Sequence, residues 1–160
     1  MTATARGDRV DMNEILEDKQ LAAPIVVGVD GSASSLAALR RADRIARALN
    51  VPLEAVIAWH TPMAVGGYPV ALEVSPEDDA RGILNASLDT VFGEQRPAWI
   101  HSTIMEGNPA KVLIDESRHA EMLVLGSRGH GGFAGLLLGS VSAACAEHAR
   151  CPVLVMHTAE

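Results

Sequence analysis

Residues 121–142 read EMLVLGSRGHGGFAGLLLGSVS, and the order of chemistries along this stretch decides the fold. The apolar run through Leu125 predicts a buried parallel strand, which puts Gly126 at its carboxyl end, where open α/β sheets bind ligands. The glycines at 126, 129, 131 and 132 can take positive φ and leave their amides uncovered, so an anion can approach the backbone closely. Gly139-Ser140 then opens a last helix, Ser142 to His148, whose first amides and dipole favour negative charge. Two sets of N–H groups are thus predicted to converge on one crevice. A single glycine at a strand end is ordinarily a turn residue. The whole arrangement reads differently, because a loop of about a dozen residues without secondary structure is uncommon in a compact domain and is either functional or disordered. Phe133-Ala134-Gly135-Leu136-Leu137-Leu138 is too apolar for disorder and reads as a hydrophobic lid edge or subunit contact.

Upstream, the pattern is rhythmic. An apolar strand runs from Ile25 to Asp30, then a small-residue turn, then a helix to about Asn50 carrying Leu36, Leu39, Ile45 and Leu49. A second strand spans Leu53 to Trp59. Ser75-Pro76-Glu77-Asp78 has the cap, proline and early acids of a helix start, and that helix should reach Phe92 or Gly93. Ala98 to Met105 alternates as a less completely buried strand, and Asn108-Pro109 starts a helix to about His119. After the glycine stretch come the last helix and a strand from Pro152 to His157. Five strands alternating with four helices predict an α/β fold: a doubly wound, Rossmann-like five-stranded parallel sheet in the order 3-2-1-4-5. Right-handed crossovers then bring the carboxyl ends of strands one and four together. Asp30 would stand there, either accepting hydrogen bonds from ribose hydroxyls or an amino group, or closing an Asx-type turn with Gly31-Ser32.

Composition limits the partners. The 160 residues suit one domain; 48% are hydrophobic but only 3% aromatic, which points to an aliphatic core covered on both faces of a sheet. A formal charge of −7 opposes nonspecific attraction to nucleic acid or anionic membranes. Cys145 and Cys151 form neither a CxxC pair nor a zinc set, and reduced thiols are expected. Residues 1–22 are polar and read as a flexible N-terminal extension, with a single α/β domain over 23–160; the start lacks the apolar core of a signal peptide, and a cytoplasmic location is expected.

Four blocks carry a resemblance over about Ile25 to His157: IVVGVDGS at the first strand, EGNPAKVLI into the third helix, the G-x2-G-x9-G-S spacing within LVLGSRGHGGFAGLLLGSVS, and CPVLVM at the last strand. Together they closely resemble the UspA-like universal stress protein family, in its ATP-binding subgroup. The resemblance implies that Asp30 lies in a nucleotide pocket, that Ala58 at the end of strand two offers backbone groups to adenine, and that Gly126 lies by the ribose. It places Gly129, Gly139, Ser140 and Val141 along the phosphates. The implied ligand is ATP, with Mg²⁺ arriving on its phosphates, and the implied assembly is a homodimer paired through the C-terminal strand, residues 152–157.

Other machinery is missing from the sequence. Gly129-His130-Gly131-Gly132-Phe133-Ala134 matches a dinucleotide fingerprint by letter, but only one helix and one strand follow it. There is no GxxxxGK[ST], no HExxH and no Gly-x-Ser-x-Gly elbow. No catalytic residue and no protein metal ligand is assigned. The expected function is an ATP-binding, nucleotide-dependent regulatory module of the stress response, with weak ATP hydrolysis at most. The alternatives are a slow ATPase or nucleotidyl-transfer enzyme on the same fold, and a purely structural dimer subunit.

Overall fold

Ile25, Val26 and Val27 are at most 1% exposed, so this short strand is covered on both faces, as the centre of a parallel sheet must be. The computed structural model describes residues 22–61, 75–130 and 137–157. Within them lie strands β1 (Ile25–Gly28), β2 (Leu53–Trp59), β3 (Ile100–Glu106), β4 (Met122–Gly126) and β5 (Val153–Met156). The helices are α1 (Ala33–Leu49), α2 (Pro76–Phe92), α3 (Pro109–Glu116) and α4 (Ser140–His148), and a 3₁₀ turn over Ser117–His119 follows α3. The expected N-terminal extension lies, apart from Ala22, outside the described residues.

All strand pairs are parallel and their order is β3-β2-β1-β4-β5, the order the alternating pattern implied. Successive side chains feed opposite layers. Val27, Val29, Ala55, Ile57 and Val124 pack with Leu39, Ala42 and Ala46 of α1 and Leu84 and Leu88 of α2. Val26, Val56, Leu123 and Leu125 pack on the other face with Val112 and Leu113 of α3 and Cys145 of α4.

Local chemistry fixes the helix starts. Ser32, Ser75 and Asn108 are in extended conformation and their side chains accept from the first free amides of α1, α2 and α3. Pro76 and Pro109 follow the last two caps, positions where a missing N–H costs nothing. Asn50 ends α1 at φ 58°, in the left-handed region that asparagine tolerates.

Three boundaries differ from expectation. β1 stops at Gly28 because the Asp30 N–H turns to Ser35 Oγ (3.4 Å) and leaves the ladder. β3 begins at Ile100, after a turn in which the Ile100 N–H bonds the Pro97 carbonyl at 3.1 Å. α3 tightens to 3₁₀ geometry at Ser117, whose hydroxyl donates to the Ile114 carbonyl (2.6 Å) and accepts from the Arg150 N–H (2.8 Å).

Candidate functional site

At the carboxyl ends of β1, β2 and β4 the sheet opens into a cavity of about 520 Å³, a size suited to a small organic ligand. It lies at the switch point, where the chain crosses from one helical layer to the other. Asp30, Ala58, Gly126, Gly129, Gly139, Ser140 and Val141 all line it. Its wall is completed by residues that sequence reasoning did not single out, among them Ser35, His60, Asp79, Ile83 and Ser142.

One wall is the start of α4. Gly139 is its N-cap, in extended conformation, and no side chain caps the helix. The first intrahelical bond runs from the Ala143 N–H to the Gly139 carbonyl (2.9 Å), so helix geometry leaves the amides of Ser140, Val141 and Ser142 without a helical acceptor. Uncapped amides at the positive end of a helix form an anion site. The Gly139 N–H is a different matter: it donates to the Ser127 carbonyl at 2.7 Å, so it is not one of the bare nitrogens.

The loop after β4 forms the facing wall. A Cβ built on Gly139 would lie 3.8 Å from the Gly129 nitrogen, so the two glycine segments meet. Gly126 and Gly129 are not at positive φ, contrary to expectation. What they need is room. A Cβ on Gly126 would strike the Ser34 hydroxyl and lie 2.8 Å from the Ser34 carbonyl carbon; one on Gly129 would lie 2.5 Å from Asp30 Oδ2. The remaining part of this loop, residues 131–136, and so most of the proposed lid edge, lies outside the described residues. Leu137 is 84% exposed.

Asp30 closes the expected turn and also reaches the cavity. Its Oδ1 accepts from the Ser32 N–H at 2.9 Å, an Asx-type turn, while Oδ2 faces Gly129 within the cavity. Gly31, at φ 79°, gives the turn its shape.

The end of β2 contributes backbone. The strand runs one residue past Ala58, to Trp59. The Val29 N–H bonds the Val56 carbonyl (2.9 Å), so Val56 and, two residues on, Ala58 turn their main-chain groups toward β1. The ladder with β1 has ended by then. Among the described residues the N–H and carbonyl of Ala58 have no hydrogen-bond partner, which leaves a donor and an acceptor side by side at the cavity wall.

Charge in the cavity is mixed, with Arg128 from the loop and Asp30 and Asp79 on other walls, and His130 of the loop lines it too. Among the described residues no group of three or more His, Cys, Asp or Glu side chains is placed to hold a metal ion. The thiols stand apart from this chemistry. Burial, and then the neighbouring Cys151, push the Cys145 thiol up to about 11.

A model of the universal stress protein family matches residues 23–157. The chain belongs to the universal stress protein family. A universal stress protein of Mycobacterium tuberculosis is 37% identical to it over 134 residues, covering 83% of this chain and 44% of the relative. The chain therefore spans less than half the length of that curated relative. Among solved structures, a universal stress protein in complex with cAMP is 29% identical, with a TM-score of 0.57, over 87% of this chain and 99% of that one. The universal stress protein UspA of Lactobacillus plantarum is 21% identical with a TM-score of 0.60, over 84% and 97% of the two chains, and shares the fold.

The residues singled out from the sequence line the cavity, Ser140 among them, but the buried serines that tie the surrounding segments together were not singled out. Ser34, Ser35 and Ser142 are buried, at 6%, 3% and 3% exposure, and bind loop carbonyls or helix-start groups. The signal available was the serine-rich turn GSASS at 31–35, which reads as an ordinary cap until its distant acceptors are known.

Proposed function

We propose that this universal stress protein binds ATP in the switch-point cavity and acts as a nucleotide-dependent regulatory module of the stress response in the cytoplasm. The observation that carries this reading is the meeting of the uncapped α4 amides with the Gly129 loop beside Asp30. The α4 amides and Gly129 suit phosphate, and the Asp30 Oδ2 suits ribose hydroxyls. The adjacent donor and acceptor of Ala58 match the N1 acceptor and amino donor on one edge of adenine. An adenine nucleotide is supported further by the cAMP held by the 29% identical universal stress protein; the triphosphate rests on the double-glycine spacing. Magnesium would enter on the phosphates, since the described residues offer no ligand cluster of their own.

The test is thermal melting of nucleotide-free protein with and without ATP·Mg²⁺. At a concentration 100 times Kd, stabilisation of about 2.7 kcal/mol is expected. Gly139→Val should abolish it by obstructing the approach to α4. An unchanged melting temperature at millimolar ATP removes the proposal. No group in the cavity is assigned to phosphoryl transfer, and phosphate release should not exceed that of a Ser140→Ala variant over many turnovers.

The proposed assembly is a homodimer through residues 152–157. Among the described residues β5 is a sheet edge, paired only with β4, and its four residues Val153-Leu154-Val155-Met156 are half-buried. An apolar edge with open backbone groups calls for a partner strand. Among the described residues no helix is long and apolar enough to cross a membrane.

A further inference from the structure

Ser34 has a contact that phosphate binding as described above does not use. It sits in the first turn of α1, only 6% exposed, and its Oγ donates to the carbonyl of Arg128, 94 residues away in sequence. Ser32 Oγ approaches the same oxygen at 3.5 Å. One residue earlier, the Ser127 carbonyl receives the Gly139 N–H (2.7 Å) and Ser142 Oγ (2.9 Å). The Ser127 and Arg128 carbonyls are thereby held in fixed directions.

The consequence follows from peptide geometry. In a trans peptide the N–H of one residue points opposite to the carbonyl of the residue before it. With the Arg128 carbonyl drawn toward α1, the Gly129 N–H is directed away from α1. The start of α4 is close by: a Cβ built on Gly139 would lie 3.8 Å from the Gly129 nitrogen. Among the described residues the Gly129 N–H has no acceptor, and Gly129 lines the cavity.

We infer that Ser34 is a positioning residue for the ligand's phosphate: its hydroxyl clips the Arg128 carbonyl and so aims the Gly129 N–H into the anion site. This rests on the nucleotide reading above. It also explains Gly126, whose missing side chain is what lets Ser34 come close enough to reach the loop. A buried serine in a first helical turn, where alanine would favour the helix more, gains a reason.

The experiment is calorimetric titration of the full chain and its Ser34→Ala variant with adenosine, AMP and ATP. Ser87→Ala serves as control: that hydroxyl is 4% exposed, bonds the Ile83 carbonyl within α2 at 2.8 Å, and does not line the cavity. Ser34→Ala should lower the affinity for AMP and ATP at least about tenfold, as expected for one misdirected hydrogen bond to a charged group, and change adenosine less than about twofold. Ser87→Ala should change none of the three. Equal losses for adenosine and ATP would make Ser34 a structural residue and overturn the inference, as would an unchanged ATP affinity in folded Ser34→Ala. Should that variant fail to fold, the wild-type amide spectrum decides: the Gly129 resonance must shift with inorganic tripolyphosphate and not with adenosine, and a shift with neither overturns the inference. A wild-type chain that binds neither adenosine nor ATP removes the nucleotide reading itself, and this inference with it.

Discussion

Gly126 and Gly139 belong to the same motif but are glycine for different reasons, and substitution separates them. A methyl on Gly126 collides with Ser34 backbone, which cannot yield without moving the start of α1, so Gly126→Ala should cost about 2 kcal/mol in urea unfolding. On Gly139 a Cβ meets only ordinary contacts at 3.5 Å or more and φ is −74°, so Gly139→Ala should stay within about 0.5 kcal/mol of wild type. The sequence pattern marked both residues without distinguishing them, because the distinction depends on Ser34, far away in the chain. Cys145 offers a titration at this scale. Its thiol binds a proton more tightly folded than unfolded, so between about pH 9 and 11 the native state holds more protons than the unfolded chain. Stability should therefore fall as pH rises through that window, and a Cys145→Ala variant should show a flatter decline in the same unfolding titration.

At the level of elements, caps were the most readable feature. Asn108 Oδ1 accepts from the amides of Ala110 (3.0 Å) and Lys111 (3.2 Å), so Asn108→Ala should lower stability by about 1 kcal/mol in chemical denaturation. The order of strands and helices was legible too, since alternation of hydrophobic runs with capped amphipathic stretches leaves few topologies. Strand ends were less so. β1 was expected to reach Asp30, and nothing in IVVGVD announces that the Asp30 amide bonds a serine hydroxyl five residues on. The uncapped start of α4 is the converse case: Gly139 supplies no side chain, and among the described residues the first amides of the helix have no acceptor.

For the whole molecule, the two edges of the sheet differ. β3 carries exposed polar residues, with Thr103 bonded to Glu54 across the strands at 2.5 Å, whereas β5 is apolar throughout. The partner strand is therefore expected at β5, and sedimentation equilibrium at micromolar concentration should give twice the mass of the chain; Val155→Lys should return it to a monomer. The end of β5 is also tied to the cavity, because the Met156 carbonyl accepts the Ser127 N–H at 2.8 Å. A dimer-breaking variant should for that reason also weaken ATP-induced stabilisation, measured by the same melting assay.

β1 and β2 are aligned at Gly28 and Val56, yet β2 continues to Trp59. Those three further residues amount to about 10 Å of strand, so the sheet's rim has a stair tread cut into it. The hollow is thus a difference in length between neighbours. A chain with every lining side chain kept, but with its central strand grown level with the next, would have a flush rim and nowhere for a ligand to sit.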